Sequence, residues 1–474
     1  RLNYAYKDRY LFEINGRYDG SSKFPSNERY AFFPSFSAGW RVSQEPFWKV
    51  PYTAISDFKV RASYGSLGNG SIAPYLYQEI FNISQSGRLL GGTQPQLTSR
   101  PSVLPDGLTW ETSTTTNIGL DMSFLSNRLI FVGDLYQRDT KDMFTIGMTL
   151  PAVFGATSPR GNYADLETKG WEVSLTWRDK FTAGNDPFNY DIRVTLADNK
   201  SVVTRYNNPE KRLDDYYAGM VIGEIWGYTN DGFFKDQADI DSHADQSRFK
   251  TTNARIIYPG DIKLKDIDGS GKIDPGTNRV GDTGDRKIIG NSRPRYTYSI
   301  NLGADWNNFF FSSFFQGVGQ QDWWPNSEAS VFWGQYNRPY NYLPSWHLDN
   351  HWTPENPNAY MPRYVGRVAN RTDGILTDNP QSRYLQNIAY IRMKNVQFGY
   401  NLPENVRNVI GAEALKVYLS GENLWTWSPL YKITKDIDVE NAGPSDMKLS
   451  SGGSGDGYNY PMLKSISVGL SVTF

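Results

Sequence analysis

Apolar and polar residues alternate along most of this chain. In SISVGLSVTF, residues 465–474, Ile466, Val468, Leu470, Val472 and Phe474 share one side of an extended strand. Ser465, Ser467, Gly469, Ser471 and Thr473 share the other, because strand side chains change face with a period of two. In LFEINGRY, Phe12, Ile14, Gly16 and Tyr18 oppose Leu11, Glu13, Asn15 and Arg17. The pattern recurs in FKVRASY (58–64), WEVSLTWR (171–178) and YTYSINLGADW (296–306). Long stretches with helical period are absent. The pattern predicts a nearly all-β chain of thirteen strands, centred near residues 4, 14, 36, 60, 118, 134, 173, 194, 300, 314, 392, 419 and 468.

Two readings fit such strands: a soluble sandwich or propeller with polar outer faces, or a membrane barrel with its apolar faces in lipid. Aromatics stand at both ends of the apolar stripes, Tyr296 with Trp306 and Trp171 with Trp177. That spacing suits two interfacial girdles about 25 Å apart. The opposite faces carry Glu, Arg, Lys and Asn, as a hydrated lumen requires. Predicted connections alternate in length. Short ones fall at Lys7-Asp8, 45–56, 125–127, 179–187, Asn307-Asn308 and 403–413, and long ones at 69–108, 147–166, 205–292, 318–383 and 428–459. Outer-membrane barrels pair tight periplasmic turns with extended extracellular loops, whereas a sandwich has no reason to keep this phase. The expected fold class is therefore all-β, a transmembrane antiparallel β-barrel. The terminal strand, with Val472 and Phe474, resembles the C-terminal targeting signal of outer-membrane proteins.

Composition changes this picture little. The 474 residues carry 49 Lys+Arg against 50 Asp+Glu, a balance that gives no general pull toward nucleic acid. Cysteine is absent, which excludes disulfides and thiolate metal sites. No apolar run approaches the roughly 18 residues of a membrane helix, and averaged hydropathy is blind to alternate-residue exposure. The chain opens in mid-pattern with RLNYAYKDRYLFEINGRY, so it is expected to be part of a longer polypeptide.

Several runs resemble one family in order along the chain: LTWETSTTTNIGLDMSFLSNRL (108–129), GMVIGEIWGYTNDGFF (219–234), GDIKLKDIDGSGKID (260–274), DRKIIGNSRPRYTYSINLGADWNNFFFSSFFQG (285–317) and YPMLKSISVGLSVTF (460–474). They look like the SusC-like (RagA-like) TonB-dependent outer-membrane transporters of Bacteroidetes. The resemblance implies a 22-stranded barrel around an N-terminal plug, of which residues 1–474 would be the C-terminal portion, its last thirteen strands. Nine strands, the plug and the TonB-contacting segment would lie outside the chain. It also implies a SusD-like surface lipoprotein as lid, TonB as energy coupler, a homodimer of transporter–lipoprotein pairs, and a multi-pass place in a Gram-negative (Bacteroidetes) outer membrane.

Asp266, Asp268, Ser270, Lys272 and Asp274 have the spacing of a calcium loop, with oxygens at positions 1, 3, 5 and 9, a backbone carbonyl at 7 and Gly271 at the sharp turn. Position 12 is Thr277 rather than the usual bidentate Glu. The competing reading is a Gly/Asp-rich turn that needs no ion. Calcium in an extracellular loop is the one cofactor to consider. The segment 318–383 is dense in aromatics, and Trp323, Trp324, Trp333, Tyr336, Tyr340 and Trp346 are candidates for substrate or lid contact. Packing of the loop is the alternative. Asn337, Arg338 and Asn341 offer hydrogen bonds for either use. The three histidines, His243, His347 and His351, read as solvated loop residues. SGGSGDGYNY (451–460) reads as a flexible outer loop. No nucleophile–base pair or phosphate loop is present, so no enzyme is expected.

The expected function is TonB-dependent import of oligosaccharides or oligopeptides with the lipoprotein. The alternative is a barrel scaffold or conduit in a surface-protein secretion or assembly complex.

Overall fold

The computed structural model describes residues 1–99, 101, 103–105, 107–147, 153, 155, 158–249, 257–326, 329–337, 340–365, 376–442 and 460–474. Arg338 and nearly all of the 451–460 loop lie outside them. One antiparallel sheet holds thirteen strands, each where the alternation places it. They are β1 (Leu2–Tyr6), β2 (Tyr10–Gly20), β3 (Tyr30–Arg41), β4 (Ile55–Asn69), β5 (Glu111–Phe124), β6 (Leu129–Ile146), β7 (Arg160–Ala183) and β8 (Asp186–Arg205). After these come β9 (Arg295–Trp306), β10 (Phe309–Gln320), β11 (Tyr390–Asn401), β12 (Ala414–Trp427) and β13 (Ser465–Thr473). Every strand pairs with the next in chain order, and among the described residues β1 and β13 do not pair with each other.

The connections largely alternate in length along the sheet. Those after odd-numbered strands are short. At Asn307-Asn308 both residues have positive φ, 44° and 68°, which gives the primed two-residue turn that matches strand twist. Lys7 and Asp8 likewise sit at φ 51° and 55°. The connections after even-numbered strands are long, apart from residues 21–29 and from 147–159, which is no longer than the 42–54 connection after β3. Two boundaries differ from expectation. β7 starts at Arg160, inside the expected 147–166 loop, and β7 and β8 run to within two residues of each other. At 18, 24 and 20 residues, β6, β7 and β8 exceed the 9–11 residues that cross a bilayer.

The chain divides into two compact units, one comprising Arg1–Asn127, Phe131–Trp171 and Asn199–Val221, the other Arg128–Ile130, Glu172–Asp198 and Ile222–Phe474. In the first, register aligns Tyr4, Phe12, Ala38, Ala62 and Ile118 in one cross-strand row. Asn3, Glu13, Ser37, Ser63 and Asn117 form a row on the opposite face. The polar face is laced together. Arg61 donates from Nε to both Asp121 oxygens at 3.0 Å and from Nη2 to Asp134 at 3.0 Å, while Asn117 donates to Asp134 at 2.7 Å. Arg205 bridges Asp142 and Asp165 at 2.7 Å each. A concavity of about 500 Å³ opens over this face, lined in part by Glu13, Lys59, Arg61 and Asn117.

In the second unit, Tyr190, Ala304, Phe311, Phe398, Leu419 and Val468 fall in a single row. Leu419 and Val468 are 51% and 78% exposed in the chain alone, so among the described residues no protein core covers this stripe. The reverse face carries hydroxyl contacts such as Thr195 to Ser299 at 2.6 Å.

A charge in the apolar row therefore meets hydrocarbon. Leu419→Arg should destabilise the barrel by about 2–4 kcal/mol, whereas Ser467→Asn on the reverse face should stay within about 0.5 kcal/mol. Equilibrium urea unfolding in lipid vesicles measures both, and equal effects would contradict the assignment of faces.

Candidate functional site

Beyond the sheet, three long connections of the second unit build one core. Glu224–Tyr228 pairs with Arg286–Asn291, Asn230–Phe233 with Ile262–Leu264, and Asp322–Trp323 with Gln386–Asn387. These short ladders leave apolar faces that cannot be covered within one loop. They meet instead in a cluster holding Ile262, Leu264 and Ile273 from the first connection, Trp323, Phe332, Trp333, Tyr336 and Tyr384 from the second, and Leu430, Ile437 and Val439 from the third. The rings pack edge to face, with Phe332 to Trp333 at 4.9 Å and Trp333 to Tyr384 at 5.4 Å. Such pairs add about 0.5–1.5 kcal/mol beyond their buried area.

The candidate ligand aromatics are thereby sorted. Trp323, Trp324, Trp333 and Tyr336 are buried and have almost no surface left for a ligand or lid. Their polar atoms are spent internally: Trp333 Nε1 donates to Pro325 O at 3.0 Å and Tyr336 Oη to Pro362 O at 2.6 Å. Trp346 is half-buried, and Tyr340 stands 72% exposed. Asn337 and Asn341 brace the same loop through Ser330 Oγ and Gly334 O. Packing, the alternative named for these residues, accounts for most of the aromatic density.

Histidine 347 departs from the solvated reading. It is 0% exposed, its Nε2 lies 3.0 Å from Phe332 O, and Trp346 packs edge-on at 4.1 Å. Burial pushes its pKa down to about 4, and nearby His351 adds to the shift.

Charged residues that no motif signalled tie the loops to each other and to the sheet. Arg363 Nε meets Asp261 at 2.7 Å, and Arg383 donates to Tyr360 O while its guanidinium lies 4.4 Å from the Phe233 ring centroid. On β11, buried Arg392 reaches Asp438 at 2.7 Å and Glu440 at 3.1 Å, and Lys394 reaches Glu440 at 2.6 Å. Burial opposes charge on Asp438, yet the Arg392 contact and two backbone amides hold its pKa below the usual value. Gly260, at φ 88°, lies where any Cβ would strike the Trp352 ring.

The acidic loop gathers a different set from the one its spacing named. Carboxylate oxygens of Asp266, Asp268 and Asp285 lie within 4.8 Å of one another. The Asp274 side chain turns away to cap the Gly276 amide at 2.7 Å, and Ser270 Oγ donates to Lys272 O at 3.0 Å. Asp285 lies eleven residues past Asp274, beyond the reach of a local spacing rule. It is fully buried, accepts the Ile267 and Asp274 amides at 2.6 and 2.9 Å, and has its pKa raised by that burial. Asp266 is held low, chiefly by the Gly271 amide. Three clustered carboxylates suit a hard divalent cation.

Among the girdle candidates, Trp177 Nε1 donates to Tyr190 Oη at 3.2 Å and Trp306 Nε1 to Ala183 O at 3.1 Å. Trp171 lies in β7, half-buried, and Tyr296 is exposed on β9 at φ 53°. Val472 pairs with Leu415, and Phe474 is exposed.

Strands with uncovered apolar faces, ion-paired reverse faces and tight turns at one end define a stretch of transmembrane β-barrel wall. The model of the family described as TonB dependent receptor-like, beta-barrel, matches residues 1–424, and the chain belongs to that family of the outer membrane. It is 31% identical over 486 residues to TonB-dependent receptor P26 of Formosa agariphila, covering 100% of this chain and 45% of that protein. To TonB-dependent receptor SusC of Bacteroides thetaiotaomicron it is 29% identical over 334 residues, 66% of this chain and 31% of that one. In fold it matches the RagAB peptide transporter at a TM-score of 0.72 and 20% identity, covering 100% of this chain and 46% of that chain. The resemblance to SusC-like transporters thus holds, and the chain spans less than half the length of the curated relatives it matches.

The buried histidine makes the loop core sensitive to acid. A folded pKa near 4 lies below the unfolded value near 6.5, so its contribution is complete above about pH 6.5 and lost as pH falls toward 4. At pH 5 the loss should be about 2 kcal/mol. Hydrogen exchange across residues 329–337 and 340–361, corrected for intrinsic rate, should show protection falling in the wild type and much less in His347→Gln.

Proposed function

We propose that this chain forms part of a TonB-dependent importer that carries oligosaccharides or oligopeptides across the outer membrane of a Bacteroidetes bacterium. The carrying observation is a wall with an apolar, uncovered outer face and a charged, hydrogen-bonded inner face, in a chain of TonB-dependent receptor lineage. The short turns belong at the periplasmic end and the folded loops at the cell surface. A SusD-like lipoprotein closes over those loops, where exposed Tyr340 and half-buried Trp346 are available to a ligand or to the lid. Coupling to TonB and pairing of two transporter–lipoprotein units belong to the same reading. Deleting the gene should abolish uptake of one of two fluorescent probes, a maltooligosaccharide series or a mixed oligopeptide pool, and an uncoupler should abolish the same uptake in the wild type. Uptake of both classes unchanged by deletion, alongside loss of a surface protein, would replace import with a secretion or scaffold role.

The acidic loop of Asp266, Asp268 and Asp285 fits a structural Ca²⁺, which would stiffen a surface loop rather than take part in transport. EGTA should then speed protease cleavage between residues 265 and 286, and added Ca²⁺ should reverse it. Indifference to EGTA would leave the loop a turn held by its own amides.

A further inference from the structure

The outer face of the second unit is not uniformly filled. Register places Ala304 between Tyr190 on β8 and Phe311 on β10, with Leu302 and Trp306 two residues away along β9. A methyl group surrounded by rings leaves a hollow, and a groove of about 290 Å³ lies there. Phe181 stacks on Phe188 at 4.9 Å and meets Tyr190 edge-on at 6.2 Å, which raises one wall. Ile192, Leu302 and Phe311 add to a lining whose surface is almost wholly apolar, with Asp191 the one charged residue among those around it.

Two facts identify the occupant. The groove is continuous with the row of uncovered apolar residues that the barrel turns to the bilayer, so hydrocarbon is the medium it meets. The flanking indoles, Trp177 and Trp306, have already given their N–H groups to Tyr190 Oη and Ala183 O. The Tyr190 hydroxyl, which accepts from Trp177, keeps a single O–H, too little by itself to select a sugar, a peptide or an anion. The groove also lies beside the short turns after β7 and β9, the end assigned above to the periplasm, where the leaflet is phospholipid.

We propose that this groove, floored by Ala304 and walled by Phe181, Phe188, Tyr190, Leu302 and Phe311, seats one acyl chain of an inner-leaflet phospholipid. The leaflet assignment rests on the orientation given under the proposed function; the acyl site itself does not. An acyl chain there completes the outer surface of the wall as a side chain would, without a specific head-group contact.

Native mass spectrometry of the protein purified from its own membrane, with the chains it carries, tests this. Phosphatidylethanolamine and lipid A serve as competing probes. The wild type should hold one phosphatidylethanolamine through detergent release. Ala304→Phe, which fills the hollow, should lower that retention at least tenfold, and Phe181→Ala, which removes a wall without adding bulk, should lower it as well. Both variants should keep the heat-modifiable mobility of a folded barrel. Undiminished retention in both variants overturns the site, and preferred retention of lipid A overturns the leaflet assignment. Neither readout involves uptake, so failure of the import reading would be seen separately.

Discussion

A backbone in hydrocarbon has no water to turn to, and that constraint governs the rest of this chain. Each strand must give its amides and carbonyls to a neighbour, because an unsatisfied group in lipid costs several kcal/mol. Pairing in chain order, from β1 to β13, meets the demand with the shortest connections. It also fixes which side chains share a face, since a one-residue slip would turn Leu419 and Val468 inward and Ser420 and Ser467 into lipid. The primed turn at Asn307-Asn308 and the positive-φ pair Lys7-Asp8 hold that register at the short-turn end.

At the other end of the strands the rules revert to those of a water-soluble protein. The long connections cannot use lipid to cover apolar side chains, so they bury them in one another. Each of the larger side chains buried there contributes roughly 1.5–3 kcal/mol relative to exposure, and the Arg392, Asp438 and Glu440 cluster anchors the last connection to β11. Removing Arg392 alone would leave buried Asp438 without its cationic partner while Glu440 kept Lys394, and an uncompensated buried charge costs far more than the pair is worth.

The sheet was legible in the sequence because its signal is local. A period of two survives in ten residues, and the thirteen centres read from it coincide with the strands of the sheet. The loop core was not legible, because its members are distant in sequence: Ile262, Trp333 and Leu430 share one cluster with no spacing to announce it. For the same reason Trp333 looks as available to a ligand as Tyr340 does, although one is enclosed and the other exposed. The calcium motif located the acidic loop but named Asp274, where the fold brings in Asp285. His347 lies between Pro344 and the polar run after it, which read as solvent-facing until Phe332 and Trp346 closed over it.

The shared core also constrains how such a protein diversifies. Loops that fold separately can be lengthened, exchanged or recombined one at a time, each change tested alone. Here the segments after β8, β10 and β12 contribute to a single packed interior, so a substitution at Ile262 is judged by its fit to a core that Trp333 and Leu430 share. New surface chemistry is cheapest at exposed positions such as Tyr340, which no interior packing restrains. A change that needs a different loop backbone would require all three segments to be inherited together, as one module.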